Sequence, residues 1–144
     1  MAEETTEPFS VRIEVRGYET DALGHVNASV YGQYAEHARW KLFEKAGIRQ
    51  RDLLAARIGP VVLELHFSYR NELRAEDEVD VDCVVEWGEG RTMTTRQTLR
   101  RADGTVAAEV TGTAVVVDLD RRKAVADPRA ALRELAAHPG LLGL

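Results

Sequence analysis

Between Phe9 and Gly17 the apolar residues Val11, Ile13 and Val15 alternate with Arg12, Glu14 and Arg16, the period-two signature of a strand with one buried face. Residues 29–46 change to a helical period. Tyr31, Tyr34, Ala35, Ala38 and Leu42 share one face, and Gly47 follows as a stop that accepts positive φ. Val30, Trp40 and Phe43 place apolar bulk outside that stripe, so this helix is expected to be covered on more than one side, by its own sheet and by a partner. A shorter helical stretch over 49–57 ends near Gly59-Pro60, a pair that punctuates structure.

From there to Asp120 the pattern is β. Leu63, Leu65, Phe67 and Tyr69 point one way over 61–70, and Glu64, His66, Ser68 and Arg70 the other. Val79, Val81, Cys83, Val85 and Trp87 repeat the alternation in a second strand. A turn at 88–90 leads to a third over 91–101, Asp103-Gly104 predicts a tight type I′ hairpin, and a last long strand runs over 105–118. Asp127-Pro128 reads as an N-cap with proline at the first helical position, opening a short helix with Leu132 and Leu135 inward. One long early helix followed by four antiparallel strands is an α+β layer arrangement.

The 144 residues suit one domain, expected over 9–137, and no apolar run approaches the roughly 20 residues that span a bilayer. Residues 1–8 (MAEETTEP) are acidic and polar where a signal peptide is basic and then apolar, so they are expected to be a disordered tail on a cytoplasmic protein, with a second tail at 138–144. A net charge of −5 with interspersed signs argues against a nucleic-acid surface. The lone Cys83 excludes an internal disulfide, and no Cys/His set has metal-ligand spacing, so no metal is expected.

The chemistry concentrates in residues 20–31, TDALGHVNASVY. Taken alone, Asp21 suits a turn or a catalytic carboxylate, Gly24 a backbone position needing positive φ, His25 a structural hydrogen bond or a donor, and Asn27 a helix cap or a site-lining amide. The free N–H groups of the helix that follows, with its positive dipole end, form a ready oxyanion site. Further along, Glu36 and Arg39 can pair at i and i+3. Glu64 and His66 share a strand face, as a solvated surface or an acid/base pair. Arg91, Arg96, Arg100 and Arg101 put positive charge on and beside one strand, suited to solvent or to phosphate groups.

Asp21-Ala22-Leu23-Gly24-His25-Val26-Asn27, followed by Tyr31, Tyr34, Glu36, Ala38 and Arg39, resembles the D-x-x-G-H-V-N-x-x-x-Y…E-x-A-R signature of hot-dog-fold acyl-CoA thioesterases of the 4-hydroxybenzoyl-CoA thioesterase-like type. Weaker matches extend through Phe67-Ser68-Tyr69-Arg70 and on to Val117. The resemblance implies a long helix wrapped by a five- or six-stranded antiparallel sheet, and a homodimer paired edge to edge, with a homotetramer left open.

It also implies hydrolysis of an acyl-CoA or acyl-carrier-protein thioester, Asp21 being nucleophile or general base and the Ala28 N–H polarising the carbonyl. Tyr31 and Tyr34 would wall the pocket or core. Coenzyme A or phosphopantetheine would enter only as part of the substrate. Two other outcomes stay open on this scaffold: hydration, dehydration or conjugate addition on an enoyl or β-substituted acyl thioester, and non-catalytic acyl binding.

Overall fold

The computed structural model describes residues 8–144, so the tail expected at the N-terminus lies, but for Pro8, outside the described residues. Strand β1 (Ser10–Glu14) leads through a 3-10 turn (Gly17–Glu19) to α1 (Ala28–Lys45) and α2 (Gln50–Ala56). Then come β2 (Ile58–Tyr69), β3 (Glu78–Asp82), β4 (Val84–Trp87), β5 (Thr92–Arg101), β6 (Val106–Asp118), the short β7 (Lys123–Ala124) and α3 (Pro128–Leu135). The strands pair antiparallel in the order β1-β3-β5-β6-β2, with β4 also on β5 and β7 on β6. The architecture is the α+β hot-dog arrangement that the motif implied: one long helix lying in a curled antiparallel sheet. Among the described residues no helix is long and apolar enough to cross a membrane.

The alternation read from the chain explains the packing. Tyr31, Tyr34, Ala35, Ala38 and Leu42 of α1 are all buried, and so are Val30 and Phe43 outside that stripe. The N-terminal half of α1 packs on Val79, Val81, Leu99 and Val110, and the C-terminal half on Cys83, Val85, Met93 and Val116. The strand expected to run unbroken through Trp87 is interrupted at Cys83, yet its register on β5 is unchanged, from Val81↔Leu99 to Val84↔Arg96. The Asp82 side chain causes the break: its Oδ1 accepts the Thr98 N–H at 2.6 Å where a ladder carbonyl would stand. Burial of that carboxyl raises its pKa.

Four expectations are corrected. Gly59 and Pro60 do not end structure but sit inside β2, paired with Val117 and Val116. Proline is tolerated there because β2 is the sheet edge and its missing N–H costs no ladder bond. Leu63 does not share a face with Leu65, because the register shifts between Val62 and Glu64. One extra residue inverts the alternation, so Val62 and Pro60 line the same cavity as Leu65. The hairpin at Asp103-Gly104 is not type I′: only Gly104 has positive φ (+90°), and its N–H reaches Arg101 O at 2.9 Å, a type I turn closed by a left-handed glycine. Lastly, residues 138–144 do not trail away. They form a 3-10 turn (Pro139–Leu142) that buries Leu142 and offers its carbonyl to Trp87 Nε1 at 2.8 Å.

Gly47 ends α1 with φ +95°, and a Cβ built there would lie 2.9 Å from the Ala137 backbone nitrogen. Both the left-handed backbone and the clash oppose a side chain, so Gly47→Ala is expected to lower unfolding free energy by about 2 kcal/mol or more. A urea midpoint unchanged from wild type would contradict this account of the turn.

Candidate active site

The loop between the 3-10 turn and α1 folds back on itself. Antiparallel bridges join Thr20 to Val26 and His25 to Arg74, and the Asp21 N–H donates to His25 O at 2.8 Å. Gly24 turns the loop at φ +79°, with open space where a Cβ would project, so its role is conformational. Asp21 Oδ1 accepts the N–H groups of Leu23 at 2.9 Å and His25 at 3.3 Å, an Asx turn that fixes the carboxylate. Oδ2 takes no hydrogen bond among the described residues. One carboxylate oxygen clamps the loop, and the residue as a whole is exposed.

At the mouth of α1, Asn27 is the N-cap, and its Oδ1 accepts Ser29 N–H at 3.0 Å and Ser29 Oγ–H at 2.9 Å. Asn27 N–H donates to Glu19 O and Val30 N–H to Asn27 O. The Ala28 N–H is left without an acceptor among the described residues, exposed at the positive end of an 18-residue helix. A free backbone donor at a helix N-terminus is a site where a carbonyl oxygen gaining charge can be held.

Glu19 was not foreseen. It is 8% exposed, its Oε1 accepts Tyr34 O–H at 2.7 Å and Arg16 N–H at 2.8 Å, and its own carbonyl holds Asn27. Burial, and then the bond to Glu19, push the Tyr34 hydroxyl pKa up. Glu19 thereby ties the loop to the buried face of α1. The faint signal was the alternation Val11, Ile13, Val15, which carried two steps past Gly17 lands on Glu19.

The end of β2 packs beside the helix mouth. Tyr69 meets Tyr31 edge-on with centroids 5.1 Å apart and stacks on Phe67 at 5.9 Å. Phe67 in turn lies over Gly32, where an added Cβ would sit 3.8 Å from its ring. Farther along the same two elements, a cavity of about 380 Å³ is lined by Glu36, Trp40, Phe43, Val62 and Leu65 among others. Asp21 lines neither this cavity nor a polar one of about 480 Å³ around Glu72, Arg74 and Arg101.

The other candidates are placed as follows. His25 Nε2 contacts Glu72, which also engages Arg74, so the ring does not hold the Asp21 carboxylate. Glu36 and Arg39 do not pair: Arg39 Nη1 donates to Gln97 Oε1 at 3.1 Å, while Glu36 is exposed. Glu64 and His66 are exposed on β2, and the protomer does not bring them to the loop. Arg96 and Arg100 sit on the face of β5 opposite its buried residues, Arg96 beside Glu86 at 3.1 Å, and Arg91 precedes the strand. Among the described residues no three His, Cys, Asp or Glu side chains converge to hold a metal.

A long helix wrapped by a curled antiparallel sheet is the architecture of the hot-dog class. A model of the thioesterase-like superfamily matches residues 15–135, and the chain belongs to that superfamily. It is 30% identical over 119 residues to the long-chain acyl-CoA thioesterase FadM of Escherichia coli (strain K12), covering 82% of this chain and 89% of that protein. The crystal structure of YbaW from Escherichia coli superposes with a TM-score of 0.77 at 27% identity, covering 88% of this chain and 98% of that one. A Staphylococcus aureus protein solved in complex with CoA superposes at 0.83 over 94% of this chain and 85% of its own; at 17% identity this shows the fold alone.

Proposed function

We propose that this enzyme hydrolyses an acyl-CoA thioester, with Asp21 acting on the thioester carbon and the Ala28 N–H receiving the carbonyl oxygen. The observation that carries the assignment is the divided use of Asp21: Oδ1 is fixed by two N–H groups, and Oδ2 takes no hydrogen bond among the described residues, on the loop that leads into α1. From there it either attacks the carbonyl itself or takes a proton from a water that does. In both cases the C–O bond forms as charge moves onto the carbonyl oxygen, where a backbone N–H and the helix dipole stabilise it. The C–S bond then breaks. On the general-base route the proton held by Asp21 passes to the leaving sulfur. On the nucleophilic route water protonates the thiolate and a second water hydrolyses the acyl–Asp21 anhydride, so that both routes end in free acid, thiol and the restored carboxylate. Similarity to an acyl-CoA thioesterase supports coenzyme A as the carrier.

A thiol-trapping assay over short, branched, aromatic and long-chain acyl-CoAs tests this. Thiol release is expected, and saturable binding without release would instead mark an acyl-binding module.

The same reading places the site at a homodimer joint. The outer edge of β2 is unpaired among the described residues, and Val61, Val62, Leu63, Leu65 and Tyr69 on it are 40–56% exposed. An open apolar edge strand is a template for a second copy. Antiparallel two-fold pairing sets the Tyr69 end of one β2, next to the Asp21 loop, toward the Ile58 end of the other. Sedimentation is therefore expected to show a dimer, and Val61→Lys with Leu63→Lys to shift it to monomer with loss of turnover. A monomeric, fully active wild-type enzyme would contradict the shared site.

A further inference from the structure

The cavity along the α1/β2 seam contains polar groups that the chemistry at the loop does not use. Its walls are mainly apolar, from Trp40 and Phe43 on α1, Val62 and Leu65 on β2, Met93 on β5 and Ala114 on β6. Arg39 and Thr95 interrupt that lining. The Arg39 guanidinium is half-buried and has five N–H donors, of which one is used among the described residues, on the neutral Gln97 Oε1 at 3.1 Å. Among those residues no carboxylate pairs with it, and burial lowers its pKa. Its single partner is rigid: Gln97 is 2% exposed, and its Nε2 donates to Ala35 O at 2.9 Å.

Thr95 is 6% exposed, lines the same cavity, and its hydroxyl makes no hydrogen bond among the described residues. It stands on the Gln97 face of β5, about 7 Å away along the strand. Gly112 opposite keeps it uncovered, since a Cβ there would come 2.7 Å from Thr95 Oγ1. The buried Cys83 thiol is pushed up to about 12 by desolvation and offers no charge to Arg39 at neutral pH. Glu36 lines the cavity from an exposed position, and its charge acts on the guanidinium without forming an ion pair with it.

Unspent donors on an oriented guanidinium, with an unpartnered hydroxyl lining the same cavity, call for an oxygen acceptor. A plain alkyl chain threading the seam would bury those groups against methylenes and leave them unpaired, which costs about 1–3 kcal/mol for each polar group. The Gln97–Arg39 contact lies at the level of Ala35, seven residues beyond Ala28, or about 10 Å along the helix axis.

We propose that Arg39 and Thr95 form a specificity subsite for an acyl chain bearing an oxygen substituent, hydroxyl, keto or carboxylate, about 10 Å from the thioester carbonyl. The subsite rests on the hydrolase reading for its position relative to the reacting carbon, but its binding preference can be measured without turnover.

The experiment compares unsubstituted, ω-hydroxy and ω-carboxy acyl-CoAs of graded length, and separately titrates the corresponding free acids by calorimetry. At the length that brings the oxygen to Arg39, wild type is expected to favour the oxygenated chain at least about tenfold in kcat/KM and in acid affinity. In Arg39→Met that ratio is expected to fall to near unity, with Thr95→Val intermediate and Arg39→Lys retaining part of it. A ratio near one at every length in wild type, or one unmoved by Arg39→Met, overturns the subsite. Because the ratio compares two ligands on the same protein, partial misfolding of a variant cannot mimic its loss. Acid binding with the expected preference but no thiol release would support the subsite while sinking hydrolysis. Hydrolysis without preference would do the reverse.

Discussion

Asp21→Asn is expected to reduce kcat for thioester hydrolysis by about 10²–10⁴-fold, the range typical of a general acid–base or nucleophilic group, with little change in unfolding midpoint. The substitution is chosen because it separates two roles that the structure combines. Asparagine keeps an oxygen that can accept the Leu23 and His25 N–H groups, and it is itself a strong Asx-turn former, so the loop conformation survives. It removes only the charge and basicity of the oxygen that takes no loop contact. If Asp21 served the turn alone, the variant would turn over at close to the wild-type rate. The Ala28 N–H and the cavity between α1 and β2 remain, so residual catalysis and substrate affinity should persist. Steady-state kinetics on one good acyl-CoA, alongside a urea melt, read both quantities.

The second large effect is expected at Glu19. Glu19→Ala removes the acceptor of a buried tyrosine hydroxyl and of the Arg16 N–H in one step, leaving the Tyr34 O–H without a partner in the core. An unsatisfied buried polar group costs about 1–3 kcal/mol, and the cavity left by the lost side chain adds to it. Because Glu19 also holds the Asn27 N–H through its carbonyl, slackening of this residue reaches the Asp21 loop, so kcat should fall as well. Glu19→Gln retains an acceptor of the same shape and should recover most of the stability. Equal losses in the two variants would show that the charge, and not the hydrogen bonds, is what the site needs. Full stability of Glu19→Ala would remove Glu19 from the account of the loop.

Much of the fold was legible because period decides burial. The inward set Val79, Val81, Cys83 and Val85 and the α1 face from Tyr31 to Leu42 follow from spacing alone. The inward Thr95 and Gln97 were open to the same logic, lying between Met93 and Leu99 at two-residue steps, but polar residues in an alternating strand invite assignment to solvent. What spacing does not carry is a register event. The bulge at β2 flips Val62 inward because of pairing with β6, a partner some fifty residues away along the chain. Likewise, Pro60 reads as a breaker until the strand is known to be an edge. At the site, the Asn27 cap and the Gly24 turn were visible as residue types. The Glu36/Arg39 pairing failed because Gln97, distant in sequence, offers Arg39 a buried acceptor that the helix surface does not.

The central claim is a shared position: carboxylate, helix-mouth N–H and thioester carbon within reach of one another. A crystal structure of the enzyme with a non-hydrolysable acyl-CoA analogue, its sulfur replaced by methylene, measures it directly. The account predicts the analogue carbonyl oxygen about 3 Å from the Ala28 nitrogen, with an Asp21 carboxylate oxygen, or one water bound to it, facing the carbonyl carbon. A carbonyl seated instead against Glu64 and His66, out of reach of Asp21 in every protomer, would contradict it.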